Sequence, residues 1–319
     1  MAKQKLVMIG NGMAGLRTIE EILERSQSQL DITIIGKEPY PNYNRIMLSN
    51  ILQKKMTVED TIMNPYDWYQ ENNIELINND PVEKVDKENK IVTTSKGIEV
   101  KYDICIFATG SKAFVLPIPG SNFPSVIGWR TIDDTNKMIE IAQTKKRAVV
   151  IGGGLLGLEC ARGLLDQGME VTVLHLADWL MEMQLDRKAG DMLKADLEKQ
   201  GMKIELQANS KEIIGDKDVE AIKLADGQVI ETDLVVMAVG IRPYTEVAKD
   251  SGLDVNRGIV VNDYMQTSDS HIYAVGECAE HDGKVYGLVA PLYEQGKVLA
   301  DYLTGKETKG YKGSTTFTS

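Results

Sequence analysis

The chain has 319 residues with 36 basic and 47 acidic side chains, a formal net charge of −11 at pH 7. A chain of this length exceeds one ordinary hydrophobic core, so we expect two domains. The acidic balance argues against a nucleic-acid partner, because binding of nucleic acid needs a basic face.

The chain carries no segment that suggests secretion, membrane insertion or metal binding. No apolar run is long enough to span a membrane, and the first four residues lead directly into a strand rather than a signal peptide. Cys105, Cys160 and Cys278 are scattered, and none forms the C-x-x-C spacing of a dithiol, zinc or iron–sulfur site. We therefore expect a cytoplasmic protein with three buried thiols, no bound metal and no membrane partner.

The first predicted elements are a strand at residues 6–9, a tight glycine turn and an amphipathic helix at residues 16–23. The glycines have the G-x-G-x-x-G spacing of a dinucleotide-binding turn. The first allows the sharp turn, the second has no Cβ and so admits a pyrophosphate to the backbone, and the third lets the helix pack on the strand. The candidate cofactor-binding residues here are Gly10, Gly12, Met13, Ala14 and Gly15.

A second strand is predicted at residues 31–36. In a dinucleotide fold the end of this strand usually carries an acid for the adenosine ribose, about 20 residues after the glycines. Lys37 lies at that end and Glu38 is the nearest carboxylate, so both are candidates and we assign Glu38 to the ribose. The following loop contains one arginine, Arg45, before a short helix. Arg45 is a candidate phosphate partner, and an ordinary surface arginine is an equally good interpretation.

The remaining elements of this first half are strands. Residues 74–77 form a third strand, and residues 82–100 alternate and turn at a lysine–glycine pair, which predicts a small antiparallel meander. Residues 103–111 form an apolar strand that ends in a glycine turn.

The pattern then repeats along the chain. A second G-x-G-x-x-G motif at Gly152, Gly154 and Gly157 follows a strand at residues 148–151 and precedes another at residues 171–174. Two pairs of segments match at a constant offset of 130 residues: 74–76 with 204–206, and 103–110 with 233–240. Such a consistent internal repeat predicts an α/β fold with two copies of one βαβ-based unit, the second again with a meander that turns at residues 226–227.

A third segment has strands but no glycine motif of its own. Strands are predicted at residues 258–261 and 271–276, too few for a third domain, so we expect them to return and complete the first domain. A helix is predicted at residues 291–303, with Pro291 near its first turn. The tail from Thr304 is polar and rich in glycine, serine and threonine, which indicates a linker or an unfinished connection.

Together these motifs resemble a known family over nearly the whole chain. GNGMAG at 10–15, ATGS at 108–111, GGGLLGLECA at 152–161, AVGIRP at 238–243 and YAVGECA at 273–279 are similar to the two-dinucleotide-domain flavoprotein reductases related to glutathione reductase, the rubredoxin reductases and the ferredoxin reductases. The resemblance implies two Rossmann-like domains, each with a small antiparallel meander, without the C-terminal dimerisation domain of the family. It implies an FAD-binding domain at residues 1–115 plus 245–319 and an NAD(P)H-binding domain at residues 116–244.

The resemblance also implies further cofactor-binding residues. The flavin side gains Ala108, Thr109, Gly110, Gly276, Glu277 and Pro291. Of these, Glu277 is implied to bond the ribityl chain, where most family members carry Asp, and the helix from Pro291 is implied to aim its N-terminus at the flavin N1–C2 carbonyl edge. The nicotinamide side gains Leu155, Leu156, Glu159, Gly240 and Ile241, with Glu159 near the nicotinamide ribose or carboxamide. No residue is assigned as catalytic, because the cofactors carry the hydride transfer.

Within the family the chain looks most like the N-terminal flavin module of the bacterial assimilatory NAD(P)H nitrite reductase large subunit. The markers are NYNRIMLS, HLADWLMEMQLD and the long run from YAVGECA to LYEQ. The implied acceptor is an iron–sulfur and sirohaem segment or a small redox protein. The resemblance also implies a further domain beyond residue 319, so we expect a fragment. Two alternatives stay open: a stand-alone NADH:rubredoxin or ferredoxin reductase, and a sensor that binds FAD and NADH but turns over slowly.

The end of the second strand in the second domain bears on the choice between NADH and NADPH. An NAD site places an acid there, and an NADP site places Arg or Lys nearby to pair with the 2′-phosphate. This chain places His175 there, which can hydrogen-bond a ribose hydroxyl but attracts a phosphate only weakly. We therefore expect NADH to be preferred, with NADPH usable, by a modest factor of about tenfold, or roughly 1.4 kcal/mol.

Overall fold

The computed structural model describes residues 3–26 and 30–315 and divides the chain into two compact units. The first unit contains Met1–Asn44, Ile62–Ser111 and Arg242–Ser319, and the second contains Arg45–Thr61 and Lys112–Ile241. From the sequence we expected residues 45–61 to belong to the first domain. They group with the second unit because the Leu52 side chain packs directly against Gly163, where an added Cβ would come within 2.5 Å of Leu52 Cγ.

The strands and helices follow in chain order. Up to residue 113 the elements are β1 (Gln4–Ile9), α1 (Met13–Arg25), β2 (Leu30–Ile35), β3 (Asn42–Tyr43), α2 (Leu48–Leu52), β4 (Ile62–Asn64), α3 (Tyr66–Glu71), β5 (Ile74–Ile77), β6 (Val82–Asp86), β7 (Ile91–Thr94), β8 (Glu99–Lys101), β9 (Ile104–Phe107) and β10 (Ser111–Ala113). From there to residue 243 they are β11 (Val126–Gly128), α4 (Ile132–Thr144), β12 (Arg147–Ile151), α5 (Leu155–Asp166), β13 (Glu170–Leu174), α6 (Arg187–Lys199), β14 (Lys203–Glu205), β15 (Ser210–Ile214), β16 (Ala221–Leu224), β17 (Val229–Glu231), β18 (Leu234–Met237) and β19 (Ile241–Pro243). The last are α7 (Glu246–Asp250), β20 (Ile259–Val261), β21 (Ile272–Ala274), β22 (Ala279–His281), β23 (Lys284–Val285) and α8 (Val289–Leu303).

The first unit is built on a five-stranded parallel sheet in the order β21-β9-β1-β2-β5. Its central strands are continuous apolar runs, as expected for a sheet that is covered on both faces. The late strand β21 pairs with β9, so this part of the third segment does return to the first unit, as the sequence predicted.

The second unit repeats this sheet. Its five parallel strands follow the order β11-β18-β12-β13-β14, and the register of the repeat is conserved at the central strand. Ile9 of β1 is paired with Ile35 and Phe107, and Ile151 of β12 is paired with Leu174 and Met237. The predicted α/β fold with two copies of one unit is therefore confirmed.

Each unit also carries a small antiparallel meander, β6-β7-β8 in the first and β15-β16-β17 in the second. Strand β20 also belongs to the first unit, where it lies outside the five-stranded sheet and pairs with β22, which in turn pairs with β23. This three-stranded sheet follows from the segment 279–285, which is short and was not recognised as strand from the sequence.

The tail packs on the first unit instead of forming a linker. Tyr311 is buried, its ring lies edge-on to Tyr286 and His281, and its backbone N–H donates to the Asp263 carbonyl at 2.7 Å. The buried ring of Tyr311 anchors the tail together with polar contacts of Lys312 with Asp263 and of Ser314 with Glu294, which composition alone did not reveal. The last four residues lie outside the described part of the chain. Among the described residues, no helix is long and apolar enough to cross a membrane.

Candidate functional site

The first glycine turn, which connects β1 to α1, packs closely against Ala108. Gly10 has φ +117°, donates its N–H to the Ile35 carbonyl at 2.8 Å, and leaves no room for a Cβ, which would come within 2.2 Å of the Ala108 carbonyl oxygen. Gly15 packs α1 on the sheet, since its Cβ would lie 3.0 Å from the Cβ of Ala108. The tip of β9 therefore contacts the turn directly, and Ala108 helps to shape it.

Gly12 is different from its two neighbours in the motif. It has extended backbone angles as the N-cap of α1, and a Cβ built on it meets nothing within 4 Å. No steric reason within the described protein requires glycine here. The small residue instead leaves an open space at the helix N-terminus, where backbone N–H groups and the helix dipole favour an anion.

The helix caps separate the long helices into two groups. Helix α4 is capped by the Thr131 side chain with Asp134, and α6 is capped by Asp186. In contrast α1, α5 and α8 have no side-chain cap and no acidic residue in the first turn. Because the first backbone N–H groups of a helix lack partners within it, these three N-termini offer donors and positive potential to a ligand.

Two distant motifs of the first unit meet at Ser111 and Glu277. The Ser111 hydroxyl donates to Glu277 Oε2 at 2.7 Å, and both residues are buried. Gly110 and Gly276, which precede them, have φ +66° and +87°. A Cβ on Gly276 would lie 3.0 Å from the Cβ of Ala14 in the first helical turn, so the late motif also reaches the start of α1 next to Met13.

The other candidates assigned to the flavin from the sequence each have a protein partner. Thr109 donates its hydroxyl to the Tyr244 carbonyl at 2.8 Å, and Lys37 donates to the Tyr244 hydroxyl at 2.7 Å. Glu38 accepts a hydrogen bond from the Tyr43 hydroxyl at 2.7 Å. Arg45 belongs to the second unit, where its guanidinium donates to the Arg130 carbonyl at 2.5 Å.

Helix α8 begins two residues before the predicted start, at Val289, with Pro291 in its first turn. Further along the helix, the buried Gln295 accepts a hydrogen bond from the Gly276 N–H at 2.9 Å. Gly296 packs against Thr18 of α1, because a Cβ there would lie 2.5 Å from the Thr18 hydroxyl. The uncapped helix is therefore fixed to the Gly276 turn and to the helix of the first glycine motif.

The second glycine turn reproduces the first in detail. Gly152 has φ +121°, donates to the Leu174 carbonyl at 2.8 Å, and would place a Cβ 2.3 Å from the Ala238 carbonyl. Gly157 is tighter than Gly15, since its Cβ would lie 1.9 Å from the Gly152 carbonyl oxygen. Gly154 again is an extended N-cap with nothing within 4 Å of a built Cβ.

Two apolar side chains are exposed beside this turn. Leu155 is 53% exposed and Leu156 is 40% exposed, both in the first turn of α5. Gly240, with φ +112°, lies beyond the end of β18, and its carbonyl accepts from the Phe114 N–H at 2.9 Å, with Ile241 half-buried after it. Apolar side chains that stay exposed next to an open helix N-terminus are typical of a ligand-binding surface.

Glu159 lies one turn into α5 and is half-buried. Burial raises the pKa of its carboxyl above the usual range, and a hydrogen bond with Ser49 opposes part of that rise. The helix α2 that carries Ser49 belongs to the same unit. The partnership of Ser49 with Glu159 was not predicted from the sequence, because no local pattern links residues so far apart in the chain.

His175 is buried at the end of β13, and both of its ring nitrogens have protein partners. Nδ1 accepts a hydrogen bond from the Gly153 N–H at 3.0 Å, and Nε2 lies 2.9 Å from Glu182 Oε2. An imidazole nitrogen that accepts a hydrogen bond from a backbone N–H carries no hydrogen itself, so the ring N–H is on Nε2 and donates a hydrogen bond to Glu182 Oε2. From the sequence we named His175 as a candidate and gave no role to Glu182, which lies seven residues further on.

The three cysteines are buried free thiols, and burial raises the pKa of each. None is suited to act as a nucleophile, since the reactive form is the thiolate. Within residues 3–26 and 30–315 no group of three or more His, Cys, Asp or Glu side chains is arranged to hold a metal ion.

Comparison with known proteins gives consistent matches over nearly the whole chain. The family model for pyridine nucleotide-disulphide oxidoreductases matches residues 4–296. A nitrite reductase [NAD(P)H] of Bacillus subtilis is 57% identical over 98% of the chain and 39% of that protein, and an assimilatory nitrate reductase electron transfer subunit of the same organism is 47% identical over 98% and 41%. The chain thus spans about two fifths of these curated relatives. A ferredoxin reductase structure from Rhodopseudomonas palustris superimposes with a TM-score of 0.90 at 29% identity, over 98% of the chain and 78% of that structure.

Proposed function

Because the chain belongs to the pyridine nucleotide-disulphide oxidoreductase family, we propose that it takes electrons from a nicotinamide cofactor through FAD to a downstream acceptor. The first unit would hold FAD and the second unit NADH, with NADPH as a weaker alternative. The single observation that carries the proposal is the pair of open glycine caps, Gly12 and Gly154, each at the start of a helix without a side-chain cap. Two such sites match two dinucleotides.

The first unit fits FAD through three features. The space at Gly12 and the N–H groups at the start of α1 suit a pyrophosphate, and Glu38, which follows the end of β2, would bind the adenosine ribose. Glu277 is buried where two motifs meet, and its carboxylate can accept a ribityl hydroxyl in addition to Ser111. The uncapped α8 would place its positive end at the flavin carbonyl edge, worth about 1 kcal/mol for the anionic reduced ring.

The second unit fits a nicotinamide dinucleotide in the same manner. The space at Gly154 suits its pyrophosphate, and the exposed Leu155 and Leu156 offer an apolar surface. Glu159, held by Ser49, would position the nicotinamide ribose or carboxamide with a carboxyl whose pKa is raised by burial. Bound FAD would supply the redox chemistry, so the protein's task is to hold and orient the two ring systems.

For the acceptor we propose the nitrite-reducing part of an assimilatory nitrite reductase. The support is the 57% identity to the Bacillus subtilis nitrite reductase, of which this chain covers 39%. A small redox protein is the second candidate, and the likeness to a ferredoxin reductase along 78% of its length favours it.

The proposal is tested with the purified chain. We expect a yellow protein that releases FAD on denaturation and oxidises NADH with ferricyanide as an artificial acceptor. We expect no ammonia from nitrite and NADH with this chain alone. Full FAD occupancy without turnover would contradict the reductase function and favour a sensor, whereas ammonia formation would contradict the assignment of nitrite reduction to another part of the enzyme.

A further inference from the structure

Glu182 lies in a loop that is fastened to the second glycine turn. Gly153, the middle residue of that turn, donates its N–H to His175 Nδ1 and accepts from the Met181 N–H at 3.1 Å. Leu180 is fully buried beside it, with Cδ2 2.7 Å from a Cβ built on Gly153. The loop therefore has three attachments to one residue of the turn, and Glu182 follows the last of them directly.

The carboxylate of Glu182 is held by His175. Since Nδ1 accepts from Gly153, the ring can only donate from Nε2, which lies 2.9 Å from Glu182 Oε2. The Glu182 side chain is about a third exposed, at 35%, whereas that of His175 is 9% exposed. Both ring nitrogens of His175 thus have protein partners. The Glu182 carboxylate, held by Nε2, is partly exposed beside the turn.

Around this loop the acidic side chains outnumber the basic ones: Asp178, Glu182, Asp186 and Asp191 against Arg187 and Lys188. The first cation after Glu182, Arg187, is paired with Asp178 at 2.7 Å and lies 3.8 Å from Asp191. Two carboxylates on one arginine reduce its attraction for a phosphate. Near the end of β13 the described protein thus offers an acid held in place and an arginine already engaged.

We propose that Glu182, positioned by His175, is the residue that selects NADH over NADPH. The inference rests on the proposed binding of a nicotinamide dinucleotide at this unit. A dinucleotide fold places an acid where it accepts from the ribose hydroxyls and repels a 2′-phosphate. In this chain His175 lies at the strand end, and its ring is hydrogen-bonded to Gly153 of the turn. The acid is Glu182, seven residues further along. His175 is accordingly a positioning residue.

The test compares binding of NAD⁺ and NADP⁺ to the FAD-loaded protein by isothermal titration calorimetry. We expect Glu182→Gln to lower the ratio of the NADP⁺ to the NAD⁺ dissociation constant about tenfold, which removes the preference. Glu182→Asp, which keeps the charge, should retain the wild-type ratio within about threefold. The matched control is Glu220→Gln, an exposed glutamate in the same unit, which should leave the ratio within twofold.

The outcomes separate this inference from the proposed function. If NAD⁺ binds and Glu182→Gln retains the wild-type ratio, the specificity role is wrong and the binding site stands. If the wild-type protein binds neither dinucleotide, both are wrong. An equal loss of both affinities in Glu182→Gln would indicate only loop packing and would also overturn the role. Circular dichroism and the melting temperature of each variant verify that the fold is intact.

Discussion

The N–H of Gly153 donates to Nδ1 of His175 at 3.0 Å, so the imidazole fills the space that a side chain at position 153 would need. In the first unit the glycine and the side chain are exchanged between the two equivalent positions. There the middle residue of the turn is Asn11 and the strand-end residue is Gly36, whose Cβ would lie 3.0 Å from that of Asn11. Each unit therefore has one side chain and one glycine at this pair of positions.

This exclusion predicts coupling between the two positions. A Cβ at Gly153 would lie 2.7 Å from His175 Cγ, so Gly153→Ala should destabilise the second unit by roughly 1–3 kcal/mol. Adding His175→Ala removes that atom, and the double variant should recover about 1 kcal/mol relative to the sum of the single changes. Thermal unfolding of the four proteins measures the coupling. Strict additivity would mean that the two residues are not in contact.

The sequence predicted much of the fold because the repeat is encoded locally. Apolar strands, glycine spacing and meander turns recur at one offset, and the two parallel sheets follow from them. The sequence could not show which residues far apart in the chain are hydrogen-bonded to each other. Ser111 with Glu277 joins segments 166 residues apart, and Ser49 with Glu159 joins two helices of the second unit. Neither pair leaves a periodic or spaced pattern in the chain.

Similar reasons explain why the sequence revealed neither the packing of the tail nor the partner of His175. Tyr311 anchors the tail through three-dimensional packing that its polar composition conceals. Glu182 lies seven residues beyond His175, which occupies the strand end where an acid is normally expected. The attachment of its loop to Gly153 brings its carboxylate within hydrogen-bond distance of His175. In both cases specific contacts, rather than the average character of the segment, determine the structure.

The buried pair Ser111–Glu277 should be sensitive to loss of the hydroxyl. Ser111→Ala removes the hydrogen bond from the Ser111 hydroxyl to the buried Glu277 carboxylate, which costs about 1–3 kcal/mol. We also expect weaker FAD retention, because Glu277 loses its fixed position. Ser268→Ala, at an exposed serine of the same unit, is the control. The melting temperature and the bound flavin after gel filtration measure both effects, and equal behaviour of the two variants would contradict the structural role.

Glu159 predicts a pH-dependent stability difference. Burial raises the pKa of its carboxyl in the folded protein, so stability is favoured while the group is protonated and is lost as the pH rises through the raised value. Glu159→Gln has no charge to bury, and its melting temperature should exceed that of the wild type more at pH 7.5 than at pH 4.5. Glu170→Gln, at an exposed position of the same unit, provides the reference. A gain that is equal at both pH values would refute the burial effect.

Alanine substitutions at the two glycines near the start of α5, Gly154 and Gly157, should have very different effects on stability. A Cβ on Gly157 would lie 1.9 Å from the Gly152 carbonyl oxygen, a backbone atom that cannot move without opening the turn. Gly157→Ala should therefore cost about 3 kcal/mol or more, whereas Gly154→Ala meets only open space and should leave apo-protein stability nearly unchanged. Thermal unfolding of both variants decides the matter, and comparable losses would contradict the turn geometry.

The central claim is that the first unit holds FAD and the second the nicotinamide cofactor. Gly12→Val and Gly154→Val test it together, because both positions are extended and open, so each variant should fold and differ only in the space left for a pyrophosphate. The decisive measurement is bound FAD and NAD⁺ affinity in the two purified variants. We predict that Gly12→Val is folded and colourless, while Gly154→Val stays yellow and loses NAD⁺ binding at least tenfold. A folded Gly12→Val that retains FAD, or a Gly154→Val that releases it, would contradict the assignment.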